Sequence, residues 1–213
     1  MKIPQSKLQN RVSKRQDYAT INKSMLSKLN PPNLYRFFCL SLYRNDYYNV
    51  RLRISDIAKV TGESEEALKN FNKDMDKILT RKKYPIPINH PVYEFTMRSL
   101  YKIPEMEESN YITLSYLLIK LNLSVKAKGY YIKLLLIAED SVIPFMPKEL
   151  APKLGMGKSA IEDYNIDLYK AGLLEYLPKG FRITPNELLL DNDIAAQRKE
   201  WGNPLPNIKM KSQ

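Results

Sequence analysis

The sequence predicts a mainly α fold with small β-hairpins, an α+β chain built from two tandem copies of one unit. Three observations predict it. The chain matches itself without gaps at a shift of 93 residues. Each copy holds an apolar-periodic helix, a short helix and a third helix, with a glycine turn between the last two. The second copy then closes on a strand-like segment with Lys179-Gly180 at its centre.

The self-match rests on named residues. Tyr18 meets Tyr111, Ile57-Ala58 meets Leu150-Ala151, and Gly62 meets Gly155. The run Ala67–Lys77 meets Ala160–Lys170 with four of eleven positions identical and four conservative. Apolar agreement between two helices is cheap. Agreement at Asn, Asp, Lys and the turn glycine together is not, and it points to an internal duplication.

In the second copy, Val125–Ala138 reads as a helix. Pro147 suits a first helical position, so Lys148–Leu154 is a short helix, and Gly155 ends it. Ser159–Ala171 is a third helix, with Ile161, Tyr164, Leu168 and Ala171 on one face. Gly172 stops it, and Glu175–Thr184 reads as a β-hairpin. In the first copy the corresponding helices are Asn33–Arg44, Ser55–Val60 with Ser55 as N-cap, and Glu63–Leu79 with the stripe Leu68, Phe71, Met75 and Ile78. Arg81-Lys82-Lys83 followed by Pro85-Ile86-Pro87-Ile88 stands where the hairpin should be. The prolines make it an edge strand or a loop. The implied organisation is a flexible basic arm (1–17), a first unit (18–103), a solvated linker (104–110), a second unit (111–190) and a C-terminal tail (191–213).

Helix, short helix, glycine turn and third helix form a helix-turn-helix, and the hairpin adds a wing. Tyr111-Ile-Thr-Leu114, Leu123-Ser-Val-Lys-Ala-Lys-Gly129, Glu149–Ile161 and Lys170-Ala-Gly-Leu-Leu174 together resemble the winged-helix domain of bacterial phage and plasmid replication proteins, the replisome organisers and initiators. The resemblance covers about 65 residues of the second copy, and the first copy only through the duplication. It implies DNA binding at a replication origin or operator of a mobile element. The sequence departs from that family at Glu162, Asp163 and Asp167, which place acids on the outer face of the third helix. In the first copy Lys69, Asn70 and Lys73 stand in place of Glu162, Asp163 and Ile166. The expectation is that the first copy reads DNA and that Ile166 and Tyr169 of the second form a partner or dimer surface.

Charge supports a polyanionic partner. The formal net charge is +11, and such an excess is costly by self-repulsion. The first thirty residues hold Lys2, Lys7, Arg11, Lys14, Arg15, Lys23 and Lys28 against Asp17 alone. The expected DNA contacts are Arg11, Lys14 and Arg15 of the arm, Lys69, Asn70, Lys73 and Lys77 of the first third helix, Lys158 of the second, and Arg81, Lys82, Lys83 and Lys179 of the wings. A merely solubilising surface is the plainer reading of the same excess. The partner expected is duplex DNA, with a second copy of the chain or a replication or phage protein beside it.

Other chemistries find no constellation. Gly155-Met-Gly-Lys-Ser159 lacks the earlier glycine of a phosphate-binding loop, since Pro152 stands there, so no nucleotide is expected. His90 is the only histidine and Cys39 the only cysteine, which leaves no metal set and no nucleophile–base pair. Glu105, Glu107 and Glu108 read as part of the linker. No enzyme and no cofactor are expected. The fifteen tyrosines could stack on single strands, but Tyr35, Tyr131 and Tyr164 fall at helix-core spacing. The apolar runs are short and charge-flanked, and the basic N-terminus has no apolar segment, so a cytoplasmic, nucleoid-associated protein is expected.

Overall fold

The fold begins from two helices that are apolar nearly all round. In the computed structural model the first is α2 (Pro31–Ser41), which follows the single turn α1 (Met25–Lys28). Asn30 caps α2 by accepting from Asn33 N at 3.0 Å, and two prolines open it, so it begins before the expected Asn33. The second is α6 (Val125–Ile137), which follows the turn α5 (Leu117–Lys120). Ser124 caps it by accepting from Ala127 N at 3.1 Å. Leu34, Phe38 and Leu40 of α2 and Tyr130, Tyr131 and Leu134 of α6 are all buried. A helix buried on every side belongs in the centre of a core, and these two pack against each other there.

The structure describes residues 15–44, 48–76, 78–88, 94–105, 107 and 110–190, of which 81–88, 94–100, 186 and 190 by backbone alone. It is mixed α and β, with helices and small antiparallel sheets. The expected arm residues Arg11 and Lys14, the helix residue Lys77, His90 and the tail 191–213 lie outside the described residues.

One element order runs through both halves. The first half is β1 (Tyr18–Asn22), α1, α2, β2 (Asn49–Leu52), α3 (Ile54–Thr61), a 3₁₀ turn (Glu66–Leu68), α4 (Phe71–Met75), β3 (Thr80–Ile88) and β4 (Glu94–Lys102). The second is β5 (Tyr111–Ser115), α5, α6, β6 (Val142–Ile143), α7 (Pro147–Leu154), α8 (Lys158–Lys170), β7 (Leu174–Tyr176), β8 (Phe181–Ile183), a 3₁₀ turn (Asn186–Leu188) and β9 (Leu189–Leu190). The sheet order β2-β4-β3 recurs as β6-β8-β7.

The halves join through a shared sheet. β1 pairs antiparallel with β5, and Thr20 lies opposite Thr113. Those two are 93 positions apart in the chain, and their hydroxyls meet at 3.3 Å. Antiparallel pairing centred on two equivalent residues is what a local two-fold axis between the halves requires. Residues expected as a free linker are held in place. Asn22 Nδ2 donates to Glu105 O at 2.8 Å, and Glu107 N donates to Asn22 Oδ1 at 3.1 Å. A single apolar core runs through both halves.

Several element boundaries correct the sequence reading. The short helix of the first half begins at Ile54, and its N-cap is Arg53 rather than Ser55. Asp56 accepts from the Arg53 N–H at 3.0 Å, which satisfies the position that Ser55 was expected to hold. Strands β2 and β6 were not anticipated. The expected Glu63–Leu79 helix is broken into the 3₁₀ turn and α4. Arg36 lies at the break. Its guanidinium takes the Ala67 carbonyl at 3.2 Å, the acceptor a continuous helix would offer to Phe71 N–H. The same guanidinium grips Glu63 at 2.9 and 2.5 Å, and Asn33 Nδ2 donates to Asp74 Oδ2 at 2.9 Å. Leu68, Phe71 and Met75 nevertheless face the core, as their spacing predicts.

On α8, Ile161 and Leu168 are buried as expected, but Asn165 is the third core residue and Ala171 is exposed. Asn165 is tolerated because Tyr130 Oη donates to its Oδ1 at 2.8 Å. The equivalent first-half residue, Asn72, also accepts from a tyrosine, but from Tyr101 of β4, at 3.0 Å. The proline-rich segment forms β3, and β3 is an edge strand of its sheet, where a missing N–H costs no ladder bond on the open side.

Candidate nucleic-acid interface

In the second half, two helices joined by a glycine turn follow their local sequence signals. Glu149 Oε2 accepts from Met146 N at 3.0 Å ahead of Pro147, and α7 ends at Gly155 with φ 62°. Gly157 is the N-cap of α8, so the Gly-Met-Gly-Lys-Ser run is the turn between two helices. At thirteen residues, α8 is about 20 Å long. Gly180, φ 89°, turns the β7–β8 hairpin, where the left-handed backbone favours glycine. A Cβ at that position would also stand 2.0 Å from the Ile143 carbonyl oxygen.

The outer face of α8 is not basic. Lys158 pairs with Glu162 at 3.3 Å. Asp163 is exposed, and so are Ile166 and Tyr169, at 46% and 57%. Tyr169 stacks on Tyr176 of β7 at 5.6 Å between ring centroids, and Tyr176 is itself 49% exposed. Ile166, Tyr169 and Tyr176 thus form an apolar cluster across helix and hairpin. Burial, then Tyr169 and Glu162, raises the Tyr176 phenol above its ordinary value. Lys179 is exposed at the hairpin turn.

In the first half, Lys69, Asn70 and Lys73 are exposed. They lie on the broken segment and not along one helix. Lys69 is engaged by Glu66 at 2.8 Å. Asp74 accepts from Asn33 of α2. Arg15 is exposed, with its guanidinium 4.2 Å from the Tyr116 ring centroid. Arg81, Lys82 and Lys83 open β3, where they pair with Tyr101, Leu100 and Ser99.

The β2-β4-β3 sheet carries a pattern that the sequence reading missed. Val50, Leu52 and Tyr101 are buried, so their phase of the pleat faces the core. The opposite phase contains half-buried Asn49 and Arg51 and exposed Lys102 and Thr80. The register puts Lys82 opposite Leu100, which is opposite Arg51, and puts Arg98 opposite Tyr84. The alternation in Asn49-Val-Arg-Leu52 was the available signal for β2. Four residues are too few to stand out beside strong helical periodicity.

Two lysines of the Leu-Ser-Val-Lys-Ala-Lys-Gly run and its helix serve the core and not a ligand. Lys128 is buried and donates to Ile119 O at 2.7 Å. Lys133 is buried and donates to Leu26 O at 2.6 Å and Leu154 O at 3.4 Å. Each ammonium serves carbonyls near a helix C-terminus, which carry partial negative charge. Burial lowers both pKa values from the ordinary lysine range.

Among the described residues, no group of three or more His, Cys, Asp or Glu side chains is placed to hold a metal ion. Within the same residues, no helix is long and apolar enough to cross a membrane. Comparison with family models, curated proteins and solved structures found no match to this chain.

Proposed function

We propose that this chain is a double-stranded DNA-binding protein, replication-initiator-like, of a phage or plasmid-type mobile element, built from two winged-helix-like units. The observation that carries the reading is the order α6, α7, glycine turn, α8 and β7–β8 hairpin, with the same order of helices and hairpin in the first half. Such a unit leaves the outer side of its third helix and its hairpin open to a duplex. The charge of +11 gives that duplex a reason to bind. The protein would act in the cytoplasm, at the nucleoid.

The first half contributes differently from the sequence expectation. A five-residue helix is about 7.5 Å long, short of the roughly 12 Å width of a major groove. Lys69, Asn70 and Lys73 are therefore assigned to phosphates, together with Arg11, Lys14, Arg15, Lys77, Lys158 and Lys179. Initiators and transcriptional repressors use the same reader, so the proposal covers DNA binding and not the process it serves.

A second reading is supported by the Ile166, Tyr169 and Tyr176 cluster, which suits a protein partner or a second copy of the chain better than a phosphate backbone. Fluorescence anisotropy with random and upstream genomic duplexes, at low and moderate salt, tests both. A steep salt slope with one duplex preferred by about a hundredfold or more supports a specific reader. Weak binding that disappears with salt on every duplex favours the second reading, a protein-interaction adaptor in a replication or phage assembly.

A further inference from the structure

We infer that the outer face of α8 is a self-association surface, where α8 of one copy of the chain lies antiparallel against α8 of a second copy across a two-fold axis at Ile166. The inference rests on the second reading above, in which the Ile166, Tyr169 and Tyr176 cluster meets protein, and it names that partner as the chain itself.

The order of side chains along α8 carries it. Glu162, Ile166 and Lys170 follow one another at every fourth residue, so they form one stripe on the helix. All three are exposed. The apolar residue stands at the centre, with an acid one turn before it and a base one turn after it. A two-fold axis at Ile166 reverses the direction of the second helix, so position 166 meets itself and position 162 meets position 170. Glu162 then faces Lys170 of the second copy, and Lys170 faces Glu162 of the second copy. The same operation sets Asp163 opposite Tyr169, whose phenol can donate to that carboxylate. Each charge lies about 6 Å along the helix from the axis. At the shallow crossing angle of about 20° common to paired helices, positions that far out diverge by only about 2 Å. Moving the axis spoils the match. Centred two residues earlier, on Tyr164, it would oppose Lys158 to Lys170 and Ile166 to Glu162.

The stripe is complementary to itself, which favours a second copy over an unlike partner. Antiparallel helices also bring the positive end of one dipole beside the negative end of the other. The outer side of α8 carries Glu162, Asp163 and Asp167 against Lys158 and Lys170, so it is acidic on a chain of net charge +11. Two such chains repel as wholes, and this face offers them opposite charges to pair. Glu162 is engaged within its own helix by Lys158 at 3.3 Å, through Oε1, in an exposed pair of the kind that contributes little. Among the described residues Lys170 forms no ion pair. Tyr169 and Tyr176, 5.6 Å apart between ring centroids, extend the apolar centre onto the hairpin. Stable interfaces hold about 20–30 residues a side, so one built on a single helix and a hairpin is weak and concentration-dependent.

Sedimentation equilibrium of the full chain over a concentration series tests it. The wild type is expected to rise from 24.9 kDa towards twice that mass. Glu162→Lys and Lys170→Glu are measured alone, mixed in equal amounts, and combined in one chain. Each single variant replaces two opposite-charge contacts by two like-charge contacts, and should weaken self-association by about tenfold or more. In the mixture, the Glu162→Lys chain presents two bases along the stripe and the Lys170→Glu chain two acids. These two should pair with each other at about wild-type affinity, as the combined variant should with itself. That recovery also shows that the single variants fold. Single variants that associate as the wild type does, or a mixture no stronger than its components, overturn the antiparallel pairing. A wild type that stays at 24.9 kDa overturns the inference and leaves the cluster to an unlike protein. Self-association that Ile166→Asp leaves unchanged overturns the reading beneath it, and this inference with it.

Discussion

Gly129→Ala sets two physical effects of opposite sign against each other. Gly129 lies inside α6, where intrinsic propensity alone would have alanine stabilise the helix by about 1 kcal/mol. The tertiary structure says otherwise. A Cβ at Gly129 would lie 1.7 Å from the Pro31 carbonyl oxygen, 2.3 Å from its carbon and 3.0 Å from its Cα. All three are backbone atoms of the first turn of α2, so no side chain can swing aside. Relief needs a shift of about 1.7 Å between the two central helices, from 1.7 Å to the 3.4 Å where ordinary contacts begin. Overpacking a close-packed core costs about 1–3 kcal/mol and sometimes more, and a clash with backbone belongs at the upper end. Taking about 3 kcal/mol of clash against the 1 kcal/mol of propensity leaves a net loss of about 2 kcal/mol. For a chain of this size that lowers the melting temperature by about 4–8 °C. Thermal unfolding followed by circular dichroism measures it, with Cys39 as a second probe. Its thiol is buried and its pKa is pushed up to about 12, above all by burial, so a thiol reagent reports opening of the α2–α6 core. An alanine variant as stable as wild type, or more stable, would refute the close approach of the two helices.

The remaining predictions concern the buried polar groups, alkaline pH and the α8 cluster. Tyr130→Phe should cost about 1–3 kcal/mol, because it strands an amide whose Nδ2 already has no partner among the described residues. Adding Asn165→Leu should recover most of that loss, and a urea double-mutant cycle that shows simple additivity would contradict the pairing. The chain should lose stability above about pH 10. Burial raises the pKa of Tyr35, Tyr130 and Tyr131 in the folded state, so the stability they supply is complete below the ordinary tyrosine value and is lost as pH rises above it. Lys128 and Lys133 act in the opposite sense just below the ordinary lysine value, because their folded pKa values are lowered. An unfolding midpoint that stays flat from pH 9 to 11.5 would contradict this balance. Ile166→Asp should leave duplex binding within about twofold and abolish any species of twice 24.9 kDa seen in solution mass measurements. A loss of DNA binding with unchanged mass would move Ile166 from a partner surface to the DNA interface.

Much of the architecture was legible because its signals are local. Pro147, Gly155 and the apolar spacing of Ile161 and Leu168 define α7, its turn and α8 without help from distant residues. Caps and periodicity act within a few positions of the chain. The self-match at 93 residues anticipated the recurring element order. The candidate interface was legible only as a charge excess. The sheet of β2, β4 and β3 was not legible, because β2 has four residues and its alternation is too short to read.

The sequence by itself determined the helices of the second half, the turn glycines, the β7–β8 hairpin and the basic character of the chain. Each follows from backbone preferences and charge that neighbours in sequence decide. The tertiary structure alone decided that the two halves share a sheet at Thr20 and Thr113. It decided that Gly129 is the point where α2 and α6 meet, and that Lys128 and Lys133 serve helix ends. It also decided that the first third helix breaks where Arg36 claims the Ala67 carbonyl. These outcomes turn on residues that lie between nine and more than a hundred positions apart, where only packing can choose the partner.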